Sequence, residues 1–451
     1  METEAPITGR LRKLFKVGLF LLAIAVPLGL AYVYYTFDEP PPEDGDLLPR
    51  RVAIPREENG FFHVKLVPAD FRWETSRGAE KPETEGAEED GETKVEHMVD
   101  GEEAWDQDFA AEILEANRGI FERLEKALGA PRFEFEEIRD TEAPLGHWQG
   151  LRALSYLQRL KARHELEAGR EAEAFSETLK LIRLGHRAEE GKGCIVETLI
   201  GATFASRGLE DLTKVGHRTR MGPDELRAFL EELPRYYPSA EALEESLKAE
   251  YSLLRRSLAD ARMWEPADLG SRPPQFSWFS RRFCLKPNAT KRLFAEGFRA
   301  VREELSAPPW KGETADFDAL SGGRVGWFPG RNWVGRSLFQ QAMPAIRMSF
   351  LRLRVQRDLQ ISFVRVLIAL KCYKLSKGSL PGSLQDLVPA FLPEVPFDPY
   401  DGKPLRYSAE KKIVYSVGRD LVDSGGSSEE DEEEAISDSS EPTLRLEGAA
   451  N

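Results

Sequence analysis

The chain has 451 residues, 41% of them hydrophobic, which allows two or three domains of roughly 100–200 residues and a sizeable buried core. Its 62 basic and 77 acidic residues give a formal net charge of -15, which argues against nucleic acid as a partner and against broad adhesion to anionic lipid heads, since both need clustered Lys and Arg. Cys194, Cys284 and Cys372 are too few and too scattered for a disulfide framework or a paired metal motif, and their spacing leaves open whether any two form a bridge.

Residues 1–16 carry Arg10, Arg12, Lys13 and Lys16. The nineteen residues from Val17 to Tyr35 then run without a charge; at 1.5 Å each they reach about 28 Å, the thickness of a bilayer core. Asp38, Glu39, Glu43, Asp44 and Asp46 follow. Basic residues before the run and acidic ones after it place the N-terminus in the cytoplasm and the bulk outside, with 17–36 as a single anchor. Tyr32, Tyr34 and Tyr35 sit where an interfacial aromatic belt would. A cleaved signal peptide is the competing reading, but the small-x-small triplet Ala23-Ile24-Ala25 lies inside the apolar run. A buried core helix would not be expected at the chain end behind four basic residues.

Residues 37–104 read as a stalk and acidic linker, with a short strand pair expected from Val52-Ala53-Ile54 and Phe61-Phe62-His63-Val64. Residues 105–335 read as a helical domain ending in an irregular Trp-rich region. Ile113, Ile120, Leu124 and Leu128, then Leu151, Leu154, Leu157 and Leu160, recur at helical spacing. Further helices are expected at 171–189, 195–212, 223–233 and 239–263. The piece ARHELEAGREAEAFSETLKLIRLG resembles one tetratricopeptide hairpin; without a second copy at a 34-residue period, an ordinary helical hairpin is the better reading. Trp278, Phe279, Trp310, Trp327, Phe328 and Trp333 are expected to pack as a satellite cluster rather than line a groove. A long helix follows at 337–376. Its apolar stretch Leu359–Leu370 contains Arg365 and is too short to cross a bilayer, so it reads as a core helix.

The six histidines, His63, His97, His147, His164, His186 and His217, form no paired metal spacing, and the sequence carries no G-x-S-x-G or Walker motif. The string SGGRVGWFPGRNWVGRS lacks the G-K-[ST] ending of a phosphate cradle and reads as a loop. Carboxylates are too abundant for a catalytic pair to be located.

Residues 336–426 read as a long helix plus a C-terminal module, and 356–426 hold the most specific signal: the helix, then Tyr373, Gly378, Leu380-Pro381, Leu384, Leu387, Leu392-Pro393, Pro396, Asp398-Pro399, Gly402, Pro404, Tyr407, Tyr415-Ser416, Gly418, Asp420, Asp423 and Gly425-Gly426. Turn chemistry at 398–404 and β-prone runs at 405–408 and 413–417 predict a hairpin. This order resembles the C-terminal module of the major pseudopilin of bacterial type II secretion systems. The resemblance implies an extracytoplasmic α+β module and a terminal calcium loop with Asp420 and Asp423 as carboxylate ligands, chemistry that suits a hard cation. Leu421 stands where the family has Gly, and the N-terminus lacks the leader and the internal Glu of a pilin helix. The tail, 427–451, is acidic and expected to be disordered. The fold expected is mainly α, with an N-terminal transmembrane helix, a multi-helix extracytoplasmic domain and a small α+β C-terminal module. The leading expectation is a non-enzymatic scaffold or interaction protein of the bacterial inner membrane, its bulk in the periplasm. A secretion or pilus accessory protein with envelope partners, and a hydrolase acting on envelope polymers, are the alternatives.

Overall fold

The apolar run forms helix α1, Ile7–Thr36, in a computed structural model that describes residues 7–74, 91–138, 146–258, 284–312, 314–323, 331–426 and 441–446. Within α1 the stretch Leu14–Thr36 has a mean hydropathy of 2.2, and none of it is buried against protein. The chain divides into two compact units. One comprises Met1–Leu47, Leu254–Ala300 and Ala315–Ala345; the other comprises Leu48–Leu253, Val301–Thr314 and Ile346–Asn451.

The second unit is built on helices α2 (Gly60–Val64), α3 (Gly91–Asp100), α4 (Gln107–Ala116), α5 (Arg118–Gly129), α6 (Gly146–Glu167), α7 (Glu171–Glu189), α8 (Ile195–Arg218), α9 (Pro223–Glu232) and α10 (Ala240–Ser257), of which the apolar periodicity foretells α4 to α10. Helix α7 packs on both α6 and α8. The α7–α8 contact is close because Gly185 faces Gly201 and Ala205: a Cβ on Gly185 would lie 2.5 Å from the Ala205 nitrogen and the Gly201 oxygen. One hydrophobic core gathers α2 to α6 around Phe61, Leu124, Leu154 and Leu157. A second joins α7, α8 and α9 to Leu359–Cys372 and to the C-terminal sheet. Each fully buried Leu or Phe in them contributes roughly 1.5–3 kcal/mol.

Helices α11 (Pro287–Ser306), α12 (Phe317–Leu320) and α13 (Trp333–Lys377) complete the helical set among the described residues. Helix α13 is continuous through Pro344 and contains the apolar stretch read as a core helix; Leu359, Ile361, Val364, Ile368 and Leu370 are buried. After it come a 3-10 turn at Leu384–Leu387 and the hairpin β1 (Arg406–Ser408) and β2 (Ile413–Tyr415), paired antiparallel with Tyr407 opposite Val414.

Four expectations need correction. Phe61–Val64 is helical, not a strand: Asn59 caps it through the Phe61 N–H, and the contact to Arg132 is a single parallel bridge. Part of the expected acidic linker is α3, because Val95, Met98 and Val99 share one face and are buried beside α6. The expected disordered tail supplies β3, Thr443–Arg445, which pairs antiparallel with β2 and buries Leu444. Residues 38–46 are not a free stalk, since the carboxylates of Asp38, Glu39, Asp44 and Asp46 are bound by side chains and helix N–H groups of their own unit. Trp278, Phe279, Trp327 and Phe328 lie outside the described residues. Trp310 is 43% exposed, 6.3 Å from Phe397, and lies against Gly402.

Candidate functional site

In the first unit a polar collar surrounds the C-terminal end of α1. The Lys286 ammonium donates to the Tyr35 carbonyl. The Asp38 carboxylate accepts from Asn288 N–H at 2.7 Å and Ala289 N–H at 3.3 Å, at the start of α11, where helix N–H groups lack internal partners and favour an anion. Asn288 Nδ2 donates to the Glu39 carbonyl at 2.8 Å, and Glu39 pairs with Arg292 one turn further along. Asp44 takes Arg255 at 2.7 Å, and Asp46 takes Arg299 through two bonds.

Asn332 ties the start of α13 to that of α11. It is buried, adopts a left-handed φ of 54°, and its Oδ1 accepts from Lys286 N–H and Thr290 Oγ1, both at 2.9 Å. Gly335 permits the approach, because a Cβ there would lie 1.9 Å from Thr290 Oγ1. Next to Asn332, the Arg331 N–H points at the Tyr34 hydroxyl at 3.4 Å, and the Arg331 guanidinium lies 6.0 Å from the Tyr34 ring. These groups leave a cavity of about 250 Å³ lined by Glu39, Arg292, Leu293, Glu296, Leu320 and Arg331, with Ala289 and Asn332. Sequence reading missed these residues. Arg331 and Asn332 belong to a Gly-rich string read as a loop, and only the fold brings them to α11.

The second unit has a groove of about 430 Å³ between α4, α5 and α6. Leu114 and Phe121 form its apolar floor; Arg118, Lys161, Glu122 and Glu125 rim it. Lys161 Nζ sits 4.5 Å from the Phe121 ring and 3.1 Å from Glu177, so the floor is overlaid by a cation already held in place. His164 lines the groove 6.4 Å from the Trp105 ring. The other histidines are dispersed; burial lowers the pKa of His147, His186 and His217, which favours the neutral ring.

Buried ionic groups of the second unit are interlocked. Arg159, on α6, binds Asp211 at 2.7 and 3.1 Å and Asp100 at 2.5 Å. Arg357 meets Glu189 at 2.6 Å, both nearly inaccessible, and donates to the Ala202 carbonyl. Glu197 caps α8 by accepting from Cys194 N–H at 3.0 Å, while Glu250 accepts from Ile195 N–H at 3.1 Å. Burial pushes Glu197 up to about 7 and also raises Glu250, which acts electrostatically on Glu197. Both carboxylates serve the first turn of α8, so their first role is capping. All three cysteines are buried and free.

In the C-terminal module the carboxylate of Asp398 is wholly buried. It accepts from Tyr400 N–H, Arg406 Nη1, Ser416 Oγ and Val417 N–H at 2.7–3.0 Å. The Asp-Pro turn thereby locks the exit of β2. Asp423 accepts from the Tyr415 hydroxyl at 3.1 Å and Gly425 N–H at 3.2 Å, with Arg406 Nε 3.6 Å away. Asp420 accepts from Val422 N–H at 3.0 Å. Both carboxylates implied as calcium ligands therefore shape the loop; among the described residues no group of three or more His, Cys, Asp or Glu is placed to hold a metal. Leu421, standing in the family's Gly position, adopts φ 60°, the left-handed conformation a Gly would take at less cost. Glu441, from beyond the expected end of the module, accepts from Ser424 and Gly426 N–H groups and closes the loop. No family model, curated protein or solved structure matches the chain.

Proposed function

We propose that this chain is a single-pass membrane-tethered protein whose bulk lies outside the cytoplasm and serves as an interaction scaffold. The observation that carries the reading is α1, a helix of bilayer length whose apolar stretch is entirely unburied, preceded by basic residues and followed by acidic ones. An exposed apolar surface of that length costs tens of kcal/mol in water at ~25 cal/mol per Å², and a bilayer removes the cost. The acidic residues after α1 are held at its end by the collar, which supports a fixed exit from the membrane rather than a loose stalk. The groove between α4, α5 and α6, where Lys161 covers Phe121 and a mixed-charge rim remains, suits a polar partner segment that pairs with the rim charges. A reporter enzyme active only outside the cytoplasm, fused after Asn451, should be active; activity only from a cytoplasmic reporter at that position would reverse the topology.

A secretion-accessory role is the second reading, favoured by the order long helix, 3-10 turn, locked Asp-Pro turn and hairpin in the C-terminal module. It carries with it calcium at Asp420 and Asp423. Two carboxylates make a weak site, so saturating calcium should raise the melting temperature by about 2 °C, reversibly with chelator. A melt unchanged by calcium removes the ion from this reading.

A further inference from the structure

We infer that the collar cavity binds the headgroup of a phosphatidylethanolamine molecule in the leaflet that meets the C-terminal end of α1. The inference rests on the membrane-tether reading and adds a lipid class to it. Height is the first argument. The cavity is lined by Glu39, three residues past the end of α1, and by Arg331, whose N–H meets the Tyr34 hydroxyl in its last turn. If α1 spans the bilayer, this depth is that of the headgroups, where Tyr rings concentrate.

Charge is the second argument. Arg292 and Glu39 neutralise each other. Two ionic groups then remain in the cavity lining without an ion pair among the described residues, the Arg331 guanidinium and the Glu296 carboxylate, both on exposed residues. One cation and one anion facing the same cavity match a zwitterion. The guanidinium offers forked N–H donors to a phosphate, and the carboxylate accepts from a primary ammonium. A choline headgroup presents no N–H to Glu296, and a purely anionic headgroup would meet its charge. Size is the third argument. At about 250 Å³ the cavity is below the ~300–1,000 Å³ of pockets for drug-sized ligands and suits a single small headgroup. Leu320 and Leu293 line the same cavity and give the glycerol end an apolar contact.

The full chain, purified in detergent, is exchanged into bilayer discs made of equal mixtures of phosphatidylethanolamine, phosphatidylglycerol and phosphatidylcholine with identical acyl chains, and then released for native mass spectrometry. Phosphatidylethanolamine should be retained roughly two- to fivefold over phosphatidylcholine, the range one solvent-screened ionic contact supplies, since both lipids present the phosphate. Glu296→Gln should reduce that preference toward unity, Arg331→Ala should lower the retention of all three lipids because each presents a phosphate, and Glu296→Lys should turn the preference toward phosphatidylglycerol. Equal retention of the three lipids by the unmodified chain, a preference that survives Glu296→Gln, or retention unchanged by Arg331→Ala overturns the headgroup site. Failure of the chain to enter discs of any composition overturns the tether itself, so the two failures are distinct.

Discussion

The interior of the second unit and the collar of the first treat charge in opposite ways. In the interior the main ionic groups are paired within the fold: Arg159 has two aspartates, Asp398 has four donors, and Arg357 holds Glu189 and the Ala202 carbonyl through one nitrogen, its Nε and Nη1 buried without a hydrogen bond. Such sets are costly to disturb and have little capacity left for a ligand. In the collar, Arg331 and Glu296 border a cavity with no ion pair of their own among the described residues. The difference separates charge that holds the fold from charge that is available for recognition.

The sharpest way to break that distinction is at Asp398. Asp398→Ala should cost about 3 kcal/mol, because Arg406 keeps Asp401 but two backbone N–H groups and Ser416 lose their acceptor. Denaturant unfolding measures it, and a cost below about 1 kcal/mol would mean that the lock is not structural.

Glu197 gives a pH signature. Its folded value of about 7 lies above the ordinary 4.5. Between those values the native protein keeps a proton that the unfolded chain has released. Its stability contribution is therefore complete below about pH 4.5 and is lost as pH rises through 7. Glu197→Gln, neutral throughout and still able to accept the Cys194 N–H, should be roughly 2–3 kcal/mol more stable than the parent at pH 8, with the gain vanishing near pH 4. Unfolding curves at both pH values decide it; a gain of equal size at both would contradict a buried, protonated Glu197.

Leu421→Gly relieves a left-handed Leu and should stabilise by up to about 1 kcal/mol, less the chain entropy that Gly adds. At the collar the effects should be smallest. Arg331→Ala and Glu296→Gln are expected to change unfolding free energy by less than about 0.5 kcal/mol, as exposed groups with at most a peripheral ring contact do. A loss above 1 kcal/mol in either would place the collar charges with the interior ones.

What the sequence made legible follows from how local each signal is. The apolar run of α1, the periodic leucines of α5 and α6, and the β-prone pairs of the hairpin depend on neighbours a few residues away, and they appear where periodicity puts them. Helix α3 was hidden because Val95, Met98 and Val99 are sparse in an acidic stretch and gain their burial from distant partners. Strand β3 was hidden likewise, since Leu444 and Glu441 find their places only against β2 and the 424–426 loop. The collar was the least legible. Its residues come from three separate parts of the chain, and Asn332 and Gly335 are informative only once α11 and α13 are seen to meet.

The tether remains the central claim, and alkaline carbonate extraction of membranes carrying the full chain tests it most directly. The protein should stay in the pellet, and Ala25→Arg, which places a charge at the middle of α1 at a cost of roughly 2.5–3.5 kcal/mol, should shift part of it to the supernatant. Full release of the unmodified chain would contradict the account.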